Sequence, residues 1–298
     1  FIIIAIIGIF CYDDYGQCLD EPTQRMHSLV NYKYINSYFG REITELNHIK
    51  PLQNYFHKHY GVFLQLPLVI IEDFNNFSLP IRDVFLMRHL YTFFICFIGY
   101  IFFYFSIKNI FKNEYYAVIG VLLIFLYPRF FAQQFYNIKD MILVSMFMIL
   151  LWTTIMFLEN RNKTRWAFIL GIISAIATNV RIMGAIFPVL VVGYILIDHL
   201  INNKRRNNIL KDLPNVLLTC IIIISIYLLT LIFITPASWN EPGKHLIETF
   251  FLFMDYDRWT GTQVFAGKLI TGKVPWYYIP VWMGITIPIF YLIFFIFS

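Results

Sequence analysis

An acidic pair, Asp20-Glu21, follows an apolar run from Phe1 to Cys11 and opens a long polar stretch rich in bases and aromatics. That stretch passes through Arg25, His27, Tyr32, Lys33 and Tyr34 to Lys50-Pro51 and His57-Lys58-His59-Tyr60-Gly61. It ends in Leu-Pro-Leu-Val-Ile-Ile-Glu at 66–72. A carboxylate at a lipid–water boundary is a candidate general base, able to take a proton from an attacking hydroxyl. Cations and aromatics at the same level suit an anionic or sugar-like partner. The pair also reads as a helix start, with Asp20 at the N-cap and Glu21 in the first turn. Asp13 and Asp14 are rival carboxylates nearer the apolar run.

The elements that must position these groups are membrane spans. With 59% hydrophobic residues, 14% charged residues and 19% aromatics over 298 residues, the chain cannot be a soluble domain without large exposed apolar surface. Apolar stretches close to the ~20 residues of a bilayer crossing recur at about 87–107, 115–135, 140–158, 214–235 and 276–297. Phe1 to Cys11 reads as the end of a first span. Trp166 to Asp198 is too long for one span and is interrupted by Asn179, Arg181 and Gly184. It is expected to form two short helices meeting near Arg181, since a lone guanidinium is costly in hydrocarbon. The fold class is an all-α polytopic membrane bundle, read as one domain over 1–298. The missing initiator Met and a last segment Phe-Phe-Ile-Phe-Ser suggest a chain cut from a longer one. No cleavable signal peptide is recognisable.

Short basic loops set the orientation. Lys108 and Lys112, then Arg161, Lys163 and Arg165, then Lys204, Arg205, Arg206 and Lys211 fall on one side of the alternating spans, which is expected to be cytoplasmic. The loop 12–86, the connection Arg129 to Asp140 and the long loop 236–275 are then extracytoplasmic. A net charge of +5, scattered along the chain, gives no reason to expect nucleic acid. Cys96 and Cys220 lie in apolar helices, whereas Cys11 and Cys18 are near enough in sequence for a disulfide to be considered. No metal-ligand spacing stands out, no cofactor is assigned, and a divalent cation is left open. Glycine-rich phosphate cradles, His-Glu-x-x-His and Gly-x-Ser-x-Gly are absent.

Several segments carry a resemblance. Leu-Asp-Glu-Pro-Thr-Gln-Arg at 19–25, a loop long enough for interfacial helices, and His-Tyr-Gly-Val-Phe-Leu-Gln-Leu-Pro at 59–67 resemble the first extracytoplasmic loop of GT-C glycosyltransferases. Arg88-His89, the segment Tyr127 to Asp140, and Pro-Trp-Tyr-Tyr-Ile-Pro at 275–280 are similar to bacterial members of the protein O-mannosyltransferase and aminoarabinose-transferase branch. The resemblance implies inverting sugar transfer from a polyprenyl-phosphate donor, on the outer face, to an acceptor lipid, glycan or protein. It makes Asp20 the catalytic base and gives Glu21 a supporting or orienting role. The leaving phosphate needs positive charge, for which Arg88 at the outer end of a span is the first candidate, with Arg82 close by. Arg25, Lys58 and Arg181 are further phosphate candidates. The segment Lys58-His59-Tyr60-Gly61 departs from the family pattern, having neither the prolines that relatives commonly show there nor the second carboxylate that some of them use. Asp140 or Asp13 is the candidate second acid. A sugar or acceptor platform is expected among His59, Tyr60, Trp239, Trp259, Trp276, Tyr277 and Tyr278, although interfacial aromatic belts also occur without any ligand.

A rival reading from another class is a transporter or flippase for a lipid-linked or small polar substrate, suggested by the broken helix around Arg181. Against it, the hydropathy has no paired interruptions in two halves. A non-catalytic assembly subunit with the same fold is a third reading.

Overall fold

The computed structural model describes residues 1–160, 163–204, 209–254, 261–271 and 274–297; Arg161, Arg205, Arg206 and Trp259 lie outside them. The described chain is an all-α polytopic membrane protein, as hydrocarbon demands of a backbone that must satisfy its own hydrogen bonds. It forms two units, Phe1–Leu246 and Ile247–Ser298.

In the first unit, α1 (Ile2–Cys11) leads into the polar stretch, which folds around its own small core instead of trailing as a connector. Its helices α2 (Glu21–Tyr38) and α3 (Leu66–Phe74) are joined by short 3-10 turns, and Leu29, Val30, Leu46, Ile49, Leu52 and Val69 are buried together. Tyr32 donates to Asp73 at 2.8 Å and Arg41 pairs with the same carboxylate at 2.8 Å, tying the end of α3 to α2. The membrane helices follow: α4 (Ile81–Phe111), α5 (Glu114–Phe125), α6 (Pro128–Tyr136), α7 (Asp140–Glu159), α8 (Lys163–Val180), α9 (Ile186–Lys204) and α10 (Ile209–Phe233). Four stretches are long and apolar enough to cross a membrane by themselves: Ile81–Phe111, Asp140–Glu159, Ile182–Ile201 and Leu213–Phe233.

The core lies where α4, α7, α8 and α10 meet, around Ile142, Ile149, Leu150, Leu170, Ala177 and Ile223. Small residues set these approaches: a Cβ on Gly171 would stand 2.9 Å from the Ile223 carbonyl oxygen, so only glycine permits α8 and α10 to cross so closely. The loops sort to two ends. At one, Glu159 accepts from Asn109 at 2.6 Å and pairs with Lys112 at 3.6 Å, so the α4–α5 turn meets the end of α7. At the other, the α8–α9 break meets the start of α7 and the residues that follow α10.

Two expected spans are corrected. The stretch 115–135 is not one rod, because α5 and α6 bend by 69°. Pro128 has no N–H to continue the helix and holds Tyr127 extended, at φ −66° and ψ 114°. The stretch 276–297 forms α12 (Tyr278–Thr286) and α13 (Ile289–Phe297), bent by 111° across Pro288. The loop 236–275 is also not plain coil. It carries α11 (Pro242–Met254) and, in the second unit, an antiparallel hairpin of β1 (Thr262–Phe265) and β2 (Lys268–Thr271). The break at Arg181 is where the sequence placed it, with Arg181 extended between α8 and a 3-10 turn over Ile182–Ala185.

Candidate active site

The acidic pair divides its labour by helix geometry. Asp20 is exposed at the N-cap of α2 but makes no side-chain capping bond. Glu21, one residue on, turns inward and is only 3% exposed. Its carboxylate accepts from the Cys18 N–H at 2.7 Å and lies 3.1 Å from His89 Nε2 on α4. Glu21 thus fastens the start of α2 to the bundle and leaves Asp20 facing outward.

One turn later Arg25 donates through Nε and Nη2 to a single oxygen of Glu72, at 2.9 and 2.6 Å. The other oxygen of Glu72 takes Arg88 Nη2 at 2.8 Å. This is the main departure from the sequence reading of the cations. Arg88 is 1% exposed, seven residues inside α4, and is not presented at the outer end of a span. Arg25 and Arg88 converge on a carboxylate that sequence reasoning treated as the end of a loop. A buried guanidinium such as Arg88 needs an anion beside it, and Glu72 supplies one that the partly exposed Arg25 shares. Arg82, by contrast, is exposed in the first turn of α4.

A second group assembles around the start of α7. Asn137 accepts from the Asp140 N–H at 2.9 Å and donates to its carboxylate at 3.2 Å, which starts the helix and holds Asp140. Arg181, from the α8–α9 break, forms an ion pair with Asp140, both about half exposed. The guanidinium is therefore not stranded in hydrocarbon: the helix break brings it to the level of an acid. Lys139, immediately before Asp140, seats its ammonium 3.9 Å from the centre of the Tyr60 ring. Burial and the positive Arg181 hold Lys139 down to about 7, while Asp20 pulls in the other direction. These couplings place Asp20, Tyr60, Lys139, Asp140 and Arg181 in one neighbourhood.

Beneath Tyr60 lies a layer of rings. His27, 2% exposed, stacks on Tyr60 at 5.2 Å and 12°, and its edges meet Tyr55 and His57. Neither nitrogen of His27 has a hydrogen-bond partner. Burial, then Lys139 and His57, lower its pKa to about 3, so it is a neutral ring. The strand of chain that carries Tyr60 is fixed from behind by Asn179, the penultimate residue of α8. Its Oδ1 accepts from the Phe63 N–H at 3.0 Å, and its Nδ2 donates to Thr235 Oγ1 at 3.0 Å and Ile234 O at 3.3 Å. A Cβ on Gly61 would come within 2.0 Å of the Asn179 carbonyl oxygen. Gly61 thus lets two backbones touch.

The remaining expected residues are placed as follows. His59 stacks on His245 at 4.9 Å and 9°. Lys58 is half-buried on the same segment, and Asp13 and Asp14 are exposed beyond α1. Trp239 packs against Tyr34, Tyr38 and Phe39, and its indole donates to the Phe233 carbonyl at 3.1 Å. Trp276, Tyr277 and Tyr278 belong to the second unit, where Phe265 meets Tyr277 at 5.9 Å and Tyr278 at 4.8 Å. Cys11 and Cys18 are free thiols. Among the described residues no group of three His, Cys, Asp or Glu is arranged to hold a metal.

Sequence reasoning missed Lys139, Glu72, His27 and Asn179 as parts of this arrangement. Only Lys139 left a usable signal, a cation immediately before a helix-starting acid.

The profile of the dolichyl-phosphate-mannose-protein mannosyltransferase family matches residues 86–239, just over half of the chain. The matched range contains Arg88, Lys139, Asp140 and Arg181, with Asp20 and Tyr60 ahead of it. No curated protein and no solved structure matches the chain. Many-spanned, helical, and with acids and bases gathered at one end of the bundle, this chain belongs to the dolichyl-phosphate-mannose-protein mannosyltransferase family, membrane glycosyltransferases of the GT-C type that use polyprenyl-phosphate sugars.

Proposed function

We propose that this chain moves a sugar from a polyprenyl-phosphate donor to an acceptor hydroxyl on the extracytoplasmic face, with inversion and with Asp20 as the base. The observation that carries this reading is the contrast within the acidic pair. Glu21 is buried and bonded, while Asp20 is exposed, uncapped and electrostatically coupled to Lys139. A carboxylate with no structural bond is available to take a proton.

In the proposed step the acceptor oxygen attacks the anomeric carbon as its proton passes to Asp20. The bond between that carbon and the phosphate oxygen breaks, leaving the lipid as its phosphate monoester. A single displacement of this kind inverts the anomeric centre. The leaving phosphate gains one negative charge, which a cation at fixed distance stabilises most in the transition state. Arg181 is the proposed donor-phosphate cation, since it is half exposed and its partner Asp140 is held separately by Asn137. Arg25 and Arg88 are proposed to hold the scaffold through Glu72.

The transporter reading drew on an isolated charge inside a broken helix. The break remains, but its Arg181 is paired with Asp140 beside the start of α7 and is not an isolated charge. The deciding experiment incubates purified protein with a mannosylated polyprenyl phosphate and hydroxyl acceptors. Appearance of free polyprenyl phosphate and a mannosylated acceptor supports transfer. Movement of intact lipid across vesicles, without bond cleavage, would support the transporter instead.

A further inference from the structure

Lys139 has no assigned part in the reaction, and its surroundings are unusual for a lysine. A lysine ordinarily keeps its ammonium in water and buries only its stem. Here the ammonium rests on the Tyr60 ring, and no carboxylate lies within ion-pair range of it among the described residues. It also lines a cavity of about 10 Å³ shared with Gly61, Gln65, Ile138 and Asn179, room for about one water. Gln65, another residue lining that cavity, is buried, and its side-chain oxygen has no hydrogen-bond donor. A cation with no ion-pair partner among the described residues therefore stands within electrostatic reach of Arg181 and Asp20.

We propose that Lys139 is a direct contact of the donor's phosphodiester, forming with Arg181 a two-cation clamp on its non-bridging oxygens. The proposal rests on the glycosyl-transfer reading and adds to it a residue and a protonation step. Tyr60 is the seat that holds the ammonium while the site is empty, because a ring face attracts a cation without neutralising it. Gln65, through one water, offers an acceptor for a second ammonium proton.

The charge balance makes the proposal distinctive. The groups facing Lys139 are Asp20 and His27 from the α2 region, Tyr60 from the 59–65 segment, Asp140 beside it, and Arg181 from the α8–α9 break. His27 is neutral near pH 7, and the Asp140 charge is met by Arg181. Burial and Arg181 leave the empty-site lysine at about 7, so near neutral pH part of the population carries no charge. An arriving phosphodiester has one negative charge that does not change between pH 6 and 9. It favours the ammonium, so donor binding takes up a proton from solution. As the sugar leaves and the diester becomes a monoester dianion, the second cation is already in place.

The test uses the whole protein in lipid nanodiscs and farnesyl-phosphate-mannose without acceptor, so that binding is read and transfer is not. Calorimetry in two buffers of different ionisation enthalpy counts protons. Wild type is expected to take up a fraction of a proton per donor at pH 8 and to lose affinity by about tenfold per unit above pH 7. Lys139→Arg, which is always charged, is expected to bind with no proton uptake and a flat pH dependence. Lys139→Met is expected to bind at least tenfold more weakly. Wild-type binding with no proton uptake and no fall above pH 7 overturns the Lys139 proposal alone, whatever the variants do. So does unchanged affinity in Lys139→Met. Failure of wild type to bind the diester at any pH overturns the glycosyl-transfer reading together with it.

Discussion

Arg88 and Glu72 lie 2.8 Å apart, each about 1% exposed, and Arg25 reaches the same carboxylate from α2. Removing the anion leaves the buried Arg88 guanidinium without its counter-charge and beside the partly exposed Arg25. Glu72→Gln is expected to cost about 3–5 kcal/mol, the usual loss when one partner of a buried pair is deleted. Arg88→Met, which removes a charge and keeps the volume, should cost less. Thermal unfolding in detergent gives both values, and equal stability of Glu72→Gln and wild type would show that the cluster holds nothing together.

His27 gives a pH prediction with a definite sign. Its folded pKa of about 3 lies below the ordinary 6.5, so the unfolded chain binds the extra proton first. Stability is therefore full above pH 6.5 and falls as pH drops from 6.5 toward 3, by at most about 1.4 kcal/mol per unit from this group. His27→Phe is expected to flatten that part of the profile. An unchanged acid sensitivity in the variant would assign it elsewhere.

The approach of Gly61 to the Asn179 backbone separates two glycines of one loop region. Gly61→Ala places a methyl 2.0 Å from a carbonyl oxygen, whereas nothing stands within 4 Å of a Cβ on Gly16. Gly61→Ala should lower both stability and activity, and Gly16→Ala should be nearly silent. Asn179→Ala, which orphans the Phe63 N–H, is expected to cost about 1–3 kcal/mol.

The two ends of the bundle can be told apart in cells. Asn54 is exposed in the polar stretch before α3, and Asn160 is exposed just after α7, at the end where Glu159 meets Lys112. In a variant lacking native cysteines, a cysteine at position 54 is expected to react with an impermeant thiol reagent in intact cells and one at position 160 only after lysis. The reverse pattern would put the acidic pair on the cytoplasmic side.

Much of this fold was legible because hydropathy and punctuation act locally. The helix break at Arg181 follows from one charge in an apolar run, and the bends at Pro128 and Pro288 follow from residues that cannot donate. Those prolines were in plain view but were outweighed by the apolar character around them. The site was legible only in part. Asp20 could be singled out by its place after a span, but the opposite fates of Asp20 and Glu21 depend on which way α2 rolls against α4. Glu72 was unreadable as a hub, because its partners Arg25 and Arg88 stand 47 and 16 residues away in sequence. Lys139 gains its character from Tyr60 and Arg181, which only the closed bundle brings together.

The rate of sugar transfer by Asp20→Asn, measured on folded protein with lipid-linked donor and a working acceptor, tests the role of Asp20 most directly. Asparagine keeps the size and polarity of the side chain and serves equally at an N-cap, but it cannot take the acceptor's proton. Asp20 makes no capping bond, so the fold should be untouched. Turnover is predicted to fall by about 10² to 10⁴ with donor affinity and thermal stability close to wild type. Wild-type turnover in this variant would contradict the account and move the base to Asp13, Asp14 or Asp140.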